Sequence, residues 1–287
     1  MKISAITNGI SQDYEKACQI MNKTGVKYAE IQHVNNTPIE NLTVEDAKKF
    51  KKLSDKYGIV PVCVTTHAFM GMHVASVIIG DENYKKHMAL LKNGIAIAKV
   101  LGVKQVRSMA FTKTPVTFGY HGADNWAASN NANWGRFLKL FEPIAQLGED
   151  EDMDILVETC FNSMNTSAYL TKKMINDLGA KRIKFLWDPA NALVYNEEPT
   201  VEVYESIKDI LNHIHIKDLK ANTVTSEVDF RPIGRGMLAP YLMDLAAALR
   251  KDNYQGCVSL ENAYRPDVGD YVDGYYTDIV ELKKIFE

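Results

Sequence analysis

The chain alternates short apolar runs with longer stretches in which apolar residues recur every three or four positions. The short runs are β-branched or apolar, as buried strands are, whereas the longer stretches have the period of amphipathic helices. Eight runs can be counted: 2–7, 28–34, 59–66, 104–111, 154–160, 183–188, 211–217 and 257–262. The pattern predicts eight strands, most of them followed by a helix.

Two of the longer stretches carry clear signals for helix ends. In 43–58, Thr43 suits the N-cap position, acidic residues follow in the first turn, and Gly58 stands just past the last turn. The stretch 83–102 ends in the same way on Gly102. We therefore expect helices over both stretches.

Strand–helix units without hairpin signals predict a parallel sheet. Eight such units in 287 residues favour the α/β class and a closed (β/α)8 TIM barrel. A doubly wound open sheet is the alternative, but it usually has a Gly-rich turn after the first strand, and "ITNGIS" is not GxGxxG. No linker divides the chain, so we expect a single barrel domain over residues 1–287.

The spacing is nearly regular except after the fourth run. Residues 112–134 follow that run without clear periodicity, and a loop this long in a compact domain is usually functional. His121 lies in this loop and is a candidate substrate-binding residue that could also supply a base. The tryptophans of the loop either contact a sugar ring or anchor the loop.

Composition narrows the choice of partners and compartment. The net charge is −3 and no five like charges follow one another, so nucleic acid and anionic membranes are poor partners. The four cysteines form no CxxC pair, which fits reduced thiols in a cytoplasm. The sequence has no signal-peptide core and no apolar run of about 18–20 residues. We therefore expect a cytoplasmic protein with no membrane or nucleic-acid partner.

Side chains at the carboxyl ends of the strands are the candidates for chemistry, because a (β/α)8 barrel builds its site there. The last four runs supply Glu158, Asp188, His215 and Glu261. Three carboxylates and one imidazole suit a divalent ion, with Mn²⁺ as the first choice and Mg²⁺, Co²⁺ or Zn²⁺ as alternatives. Without a cation the carboxylates would repel one another. The sequence therefore predicts one divalent metal ion at the barrel mouth.

Four motifs, "ILVETC", "LWDPAN", "HIHIKD" and "VSLEN", follow one another over residues 154–262. In this order the chain resembles the xylose-isomerase-like TIM barrel superfamily, which holds sugar phosphate isomerases and epimerases, ketose 3-epimerases, inosose dehydratases and the endonuclease IV branch (AP endonuclease family 2 type). The resemblance implies that the same four residues are the metal ligands. It also implies that Glu158 and Glu261 flank the substrate and exchange its proton.

One position departs from the endonuclease branch. That branch has a histidine three residues after the strand-six aspartate, and this chain has Asn191 there. The departure favours a single metal ion and argues against DNA repair, as does the acidic net charge. Asn191 is instead a candidate substrate-binding residue.

Further candidates lie on the inward face or near the mouth. His67 closes the third run and suits substrate contact or proton transfer, because histidine titrates near neutral pH. Lys217 either reaches a substrate oxygen or pairs with a loop acid, and Arg265 either orients a substrate group or is merely exposed. His213 shares a face with His215 one layer deeper. We expect His213 to be a hydrogen-bonded interior residue rather than a second ligand.

Together these features predict a divalent-metal-dependent isomerase or epimerase acting on a sugar or keto-sugar. The metal would stabilise the enediolate that forms when a proton leaves the carbon next to a carbonyl. One of Glu158 and Glu261 would take the proton and the other would return one.

Two other functions stay open. The same enediolate can expel a group from the next carbon, which makes the protein a lyase. Inosose dehydratases do this, as do C-glycoside deglycosidase subunits, which act on 3-keto-glycosides together with a small β-rich partner subunit. A barrel that only binds a sugar or a protein is the non-catalytic alternative, and four strand-end ligands argue against it. The sequence also leaves open whether the protein forms a homo-oligomer or binds a small β-rich partner subunit.

Overall fold

An eight-stranded parallel barrel forms the centre of the protein. The structure is a computed structural model that describes residues 1–113, 133–222, 224–225 and 227–287. The barrel strands are β1 (Lys2–Ile6), β2 (Tyr28–Ile31), β3 (Val60–Thr65), β4 (Gln105–Ser108), β5 (Asp154–Glu158), β6 (Ile183–Trp187), β7 (Leu211–Ile216) and β8 (Cys257–Leu260). Each strand pairs with the next, and β1 closes the barrel by pairing with β8. The predicted (β/α)8 TIM barrel is confirmed.

Helices follow the strands and pack against the barrel. In chain order they are α1 (Tyr14–Thr24), α2 (Val44–Tyr57), α3 (Glu82–Leu101), α4 (Asn133–Asp150), α5 (Ala168–Leu178), α6 (Pro189–Leu193), α7 (Val201–Ile207), α8 (Leu242–Lys251) and α9 (Tyr271–Phe286). Most of the predicted loop 112–134, including His121, lies outside the described residues. None of the helices in the described ranges has the length and apolar character needed to cross a membrane.

The helix ends that the sequence marks are confirmed. Thr43 caps α2 by accepting a hydrogen bond from the backbone N–H of Asp46, and the Asp46 carboxylate accepts one from the N–H of Thr43. Gly58 and Gly102 end α2 and α3 with φ values of 67° and 74°. Glycine adopts this left-handed conformation without a Cβ penalty, which is why both helices stop there.

Two short antiparallel hairpins at the mouth of the barrel were not predicted. The first pairs His33–Val34 with Thr37–Pro38, and the second pairs Asp218–Asn222 with Glu227–Arg231. In the first hairpin the two turn residues are asparagines with φ of 50° and 62°, which a tight two-residue hairpin turn requires. The "NN" dipeptide at 35–36 was therefore a usable signal.

The inside of the barrel is only partly apolar. Cys63, Leu156 and Leu186 form a small buried cluster, separate from the large core between strands and helices. Leu156 lies two residues before Glu158 on β5, and Leu186 two residues before Asp188, so the carboxylates share the inward face one layer higher. The apolar cluster therefore lies inside the barrel, one layer below the Glu158 and Asp188 carboxylates.

Candidate metal centre and active site

The four residues predicted as metal ligands converge at the mouth of the barrel. Glu158 ends β5, Asp188 follows β6, His215 lies in β7 and Glu261 follows β8. One potential ligand atom from each lies within 4.8 Å of the others. Glu158, Asp188 and His215 are buried, whereas the Glu261 side chain is 32% exposed. The structure therefore brings the four together with one open side, which is where a ligand could enter.

Asp188 is placed by the start of a short helix. Its carboxylate caps α6 by accepting the N–H of Asn191 at 3.0 Å, and Pro189 occupies the first turn. The Asn191 side chain donates to the carbonyl of Thr159 at 2.9 Å, which ties α6 to the end of β5. Its Oδ1 is buried and has no partner among the described residues. Contact of Asn191 with a substrate stays a prediction.

Two buried cations hold the carboxylates in position. Arg107 on β4 donates from Nη1 to Oε2 of Glu158 at 2.6 Å. Nζ of Lys217 lies 2.5 Å from Oδ2 of Asp188 and 2.7 Å from Oε2 of Glu261. Lys217 thus forms ion pairs with two of the candidate metal ligands, Asp188 and Glu261, and not with a loop acid as one of the two alternatives expected. Each cation is buried, so these contacts are little screened by solvent.

The imidazole of His215 lies between the two catalytic candidates. Its Nδ1 is 3.0 Å from Oε1 of Glu158 and 3.4 Å from Oε2 of Glu261. Burial alone would lower the pKa of His215, but attraction by Glu30 and Glu158 outweighs it and raises the pKa well above the ordinary value. Nδ1 is therefore the nitrogen that faces the carboxylates at the mouth.

The surrounding charges shift the carboxyl groups in opposite directions. Burial raises the pKa of Asp188 to about 7; attraction by Lys217 opposes this rise, and repulsion from Glu261 and Glu158 adds to it. For Glu158 burial is outweighed by Arg107 and His215, which hold its pKa below the ordinary value. The neighbouring cations also lower the pKa of Glu261. Glu158 and Glu261 are thus carboxylates that can accept a proton, and Asp188 titrates near neutral pH.

Glu30 on β2 lies beneath the four residues and was missed in the sequence. Its carboxylate is 2.9 Å from Nε2 of His213 and 2.9 Å from Nε2 of His215, and it also accepts the hydroxyl of Thr65. The amide of Gln105 donates to Nδ1 of His213 at 3.2 Å, so the proton of His213 is on Nε2. Attraction by the two histidines outweighs burial and holds the pKa of Glu30 well below its ordinary value. Glu30 therefore accepts N–H bonds from both imidazoles.

The two histidines of "HIHIKD" therefore have different environments. His213 is fully buried and hydrogen-bonded at both ring nitrogens, as expected for an interior residue. His215 shares Glu30 with it but turns its other nitrogen toward the mouth. The signal for Glu30 was present in "YAEI", where an acid stands on a strand that is otherwise apolar.

The remaining predicted residues lie apart from the four. His67 follows β3, and its ring is 4.9 Å from the ring of His33 and 3.2 Å from the Glu40 carboxylate. Arg265 is exposed, and its guanidinium lies over the ring of Tyr271 at 6.0 Å. A role of either residue in substrate binding stays a prediction.

Comparison with known proteins agrees with the fold and the motifs. The family model for xylose isomerase-like TIM barrels matches residues 18–278. The chain belongs to this family. The predicted resemblance is thereby confirmed. No curated protein sequence matches the chain.

Several solved structures are similar to this protein over nearly the whole chain. The probable 3-DHS dehydratase AsbF from Bacillus anthracis has a TM-score of 0.74 at 13% identity, covering 98% of this chain and 99% of its own. The 3-keto-D-glucoside 4-epimerase from E. coli has 0.69 at 18%, covering 99% of each chain. The IOLI protein with a zinc atom has 0.70 at 15%, covering 100% of each. At these identities the likeness establishes the fold alone.

The charges around this xylose isomerase-like site suit a divalent cation. Among the described residues, the cluster contains four carboxylates and two cationic side chains. The carboxylates belong to Glu30, Glu158, Asp188 and Glu261, and the cations are Arg107 and Lys217. Two negative charges remain, and one divalent ion with a neutral His215 would balance them. Carboxylate oxygens with a single imidazole nitrogen are suitable ligands for such an ion. The residues present therefore fit a divalent metal, with Nδ1 as the available nitrogen of His215.

Proposed function

We propose that this protein is a divalent-metal-dependent isomerase or epimerase that acts on a sugar or keto-sugar. The observation that carries the proposal is the placement of two ionised carboxylates, Glu158 and Glu261, within 3.0 and 3.4 Å of the Nδ1 atom of His215. Both belong to the cluster whose donor set fits one metal ion. Two proton acceptors beside one cation are what proton exchange at a carbon next to a carbonyl needs.

In the proposed reaction Glu158 and Glu261 divide the proton transfers. One carboxylate takes the proton from the carbon next to the carbonyl, and the other returns a proton on the opposite face or to the adjacent carbon. A bound metal ion, for which Mn²⁺ is our first choice, would stabilise negative charge on two neighbouring substrate oxygens. Glu158, Asp188, His215 and Glu261 would hold it.

The two buried cations support this division of roles. Arg107 keeps Glu158 ionised and fixes one of its oxygens, while the other oxygen faces His215. Lys217 keeps Glu261 ionised through Oε2, the oxygen that also lies near His215, and the partial exposure of Glu261 leaves it accessible to a substrate. Substrate contacts from His67, Asn191 and Lys217 belong to the same proposal. Arg265 and His121 are assigned to it from the sequence alone.

A lyase of the same family is the second candidate. Elimination needs a proton donor for the departing oxygen in addition to the carboxylate that takes the carbon proton. The histidine–carboxylate pair of His67 and Glu40 provides a group of that kind outside the metal cluster. A C-glycoside deglycosidase subunit would in addition purify with a small β-rich partner, whereas an inosose dehydratase would act alone.

A metal assay followed by a substrate screen tests the proposal. The protein, purified without chelator, is analysed for Mn, Mg, Co and Zn, and then mixed with ketoses, inososes and 3-keto-glycosides in D₂O under NMR. Metal-dependent deuterium incorporation next to the carbonyl supports an isomerase or epimerase, and release of a second product supports the lyase. A metal-free protein that exchanges no proton with any compound, with or without added Mn²⁺, would leave the non-catalytic binding function.

A further inference from the structure

The side chain of Gln105 has a fixed orientation at the end of the barrel opposite the mouth. Gln105 begins β4, and its Nε2 donates to the backbone carbonyl of Val62 on β3 at 3.0 Å. The same nitrogen lies 3.2 Å from Nδ1 of His213 on β7. A backbone carbonyl can only accept, so the amide atom that faces it is the nitrogen and not the oxygen. The second N–H of Gln105 therefore points to His213.

This contact determines how the His213 ring is hydrogen-bonded. Nδ1 faces a donor and must accept, so the ring carries its proton on Nε2. Nε2 lies 2.9 Å from Oε2 of Glu30 and donates to it. The ring is fully buried, and a buried polar atom that loses its partner costs about 1–3 kcal/mol. His213 is therefore held in the orientation that keeps both bonds.

The carboxylate of Glu30 joins His213 to His215. Its Oε1 and Oε2 lie 2.9 and 3.0 Å from Nε2 of His215, and Oε1 also accepts the hydroxyl of Thr65. An ionised carboxylate only accepts, so all of these neighbours donate to it. With Nε2 bound to Glu30, Nδ1 of His215 faces the mouth, 3.0 Å from Oε1 of Glu158.

These contacts form one continuous chain through the interior of the barrel. It runs from Val62 through Gln105, His213 and Glu30 to His215, with no step longer than 3.2 Å. The strand β7 is a neighbour of neither β4 nor β2, so the chain crosses the barrel interior. Every donor and acceptor along it is assigned, beginning at a backbone carbonyl that can only accept.

Gln105 is the outermost side chain of this series. It lines an open cavity of about 570 Å³ at the end opposite the mouth, and Gln255 lines the same cavity. Gln105 is half-buried, whereas His213, Glu30 and His215 are fully buried. A substitution of similar size at position 105 therefore changes the hydrogen bonding with little change in packing.

We propose that Gln105 and His213 are positioning residues for His215. The inference rests on the proposed function and deepens it, because His215 is one of the proposed metal ligands. The Gln105 amide makes His213 an uncharged donor to Glu30, which leaves the negative charge of Glu30 for its bond with His215. That charge fixes the orientation of the His215 ring and makes its Nδ1 a stronger ligand.

The Gln105→Glu variant reverses the first contact at nearly constant size. A carboxylate oxygen that faces Nδ1 of His213 requires a proton on that nitrogen, and with Nε2–H retained the ring becomes a cation beside Glu30. The added negative charge alone would tighten the binding of a cation. We expect the opposite, a fall of about 10-fold in Mn²⁺ affinity measured by titration calorimetry, at the lower end of the range for residues behind a metal ligand.

Two further variants separate hydrogen bonding from charge. Gln105→Met removes the donor without adding charge and should lower the Mn²⁺ affinity in the same direction, by about threefold. Gln255→Glu is the matched control, because it adds the same charge to the same cavity. Gln255 is exposed, and the hydrogen bonds of its amide within the described part of the chain go to Asn253. Its Mn²⁺ affinity should stay within about twofold of wild type.

Nitrogen NMR of the metal-free protein tests the chain without reference to metal binding. In the wild type we expect His213 to have an unprotonated Nδ1 and a protonated Nε2. Gln105→Glu should protonate Nδ1 and shift the signals of His215, whereas Gln255→Glu should give the wild-type spectrum. A protonated Nδ1 of His213 in the wild type would overturn the proposal, whatever the metal affinity.

The affinities provide two other ways to contradict it. Wild-type or tighter Mn²⁺ binding in Gln105→Glu would overturn the role of Gln105. So would weaker binding in Gln105→Glu with wild-type binding in Gln105→Met, since the added charge alone would then be responsible. If the wild type binds no divalent ion, the proposed function fails, and the NMR comparison decides alone: His215 signals that are the same in wild type and Gln105→Glu would show that Gln105 does not position His215.

Discussion

The carboxylate of Glu30 accepts a hydrogen bond from Nε2 of His215 at 2.9 Å, directly beneath the candidate metal ligands. This contact leaves Nδ1 of His215 facing the mouth, 3.0 Å from Glu158. A carboxylate behind a ligating imidazole fixes the tautomer and the ring orientation and makes the imidazole a stronger ligand. Glu30 therefore takes part in the proposed metal site without being one of its ligands.

Replacing Glu30 by Gln should weaken metal binding. The amide cannot provide an anionic acceptor for two imidazoles, so we expect the affinity for Mn²⁺ to fall about 10- to 100-fold, measured by titration calorimetry. In the metal-loaded wild type, nitrogen NMR should place the single His215 proton on Nε2. Glu45→Gln at the exposed start of α2 is the control. Unchanged Mn²⁺ affinity in Glu30→Gln would remove Glu30 from the site.

Glu261→Gln should abolish proton exchange without unfolding the protein. Glu261 is partly exposed, and its loss leaves Lys217 paired with Asp188, so the melting temperature should change little. Loss of a general base typically costs about 10²–10⁴-fold in rate. Deuterium incorporation measured by NMR checks this, with the exposed Glu205→Gln on α7 as a control. Retention of full exchange would show that Glu261 is not a proton-transfer residue.

Metal binding should release protons and become tighter as the pH rises. The pKa of His215 is raised well above its ordinary value, and that of Asp188 is raised to about 7, so both groups bind protons near neutral pH. A cation that takes Nδ1 of His215 and the Asp188 carboxylate must displace these protons. Calorimetry between pH 6 and 8 in buffers of different ionisation enthalpy measures the release. Binding that is independent of pH would contradict this ligand set.

Gly236→Ala should destabilise the loop after β7. The Asp218 carboxylate accepts the backbone N–H groups of Gly234, Gly236 and Leu238 at 2.8–3.0 Å. A Cβ at position 236 would lie 2.2 Å from Oδ1 of Asp218 and 2.5 Å from the carbonyl oxygen of Leu219. We expect a loss of about 1–3 kcal/mol in the free energy of unfolding, measured in urea.

Gly135→Ala in α4 is the matched control for this substitution. No described atom lies within 4 Å of a Cβ at position 135. Alanine also has the higher helix propensity, by about 1 kcal/mol. The control should therefore be neutral or stabilising. Equal stability of Gly236→Ala and wild type would mean that the loop can move away from Asp218.

Asp278 should make the protein less stable as the pH rises toward 7. Burial raises its pKa from 3.8 to about 7, opposed by the N–H of Ile233 and aided by the nearby Asp218. The folded state therefore binds the proton more tightly than the unfolded state, and its stabilising contribution is lost between about pH 4 and pH 7. Asn at this position has no charge and can still accept the Ile233 N–H.

Asp278→Asn should therefore flatten the pH dependence of stability. Urea unfolding at pH 4.5, 6 and 7.5 should give a fall that is smaller by about 2–4 kcal/mol in the variant than in the wild type, since one pKa unit corresponds to about 1.4 kcal/mol. Asp267→Asn, at an exposed position of the loop after β8, should leave the fall unchanged. A parallel pH dependence in wild type and Asp278→Asn would show that Asp278 does not carry it.

Much of the fold and part of the candidate site could be predicted from the chain itself. The eight apolar runs and their helical spacers are local patterns, and they determine the order of strands and helices along the chain, from which the barrel was predicted. Residues that stand just inside or just past a run, such as Glu158, Asp188 and Glu261, are brought to the same edge in any parallel sheet. Local dihedral preferences likewise set the helix ends at Gly58 and Gly102.

Contacts across the barrel depended on the tertiary structure. Glu30 and His215 are on strands that are not neighbours, and their contact requires the closure and stagger of the barrel, which periodicity does not encode. Glu40 reaches His67 through a loop whose path follows a hairpin rather than a repeating pattern. The ion pairs of Lys217 with Asp188 and Glu261 also depend on the tertiary structure, and its contact with a substrate stays a prediction. The sequence alone determined the order of the elements and the face of each strand; the relative heights of side chains on different strands decided which charges meet.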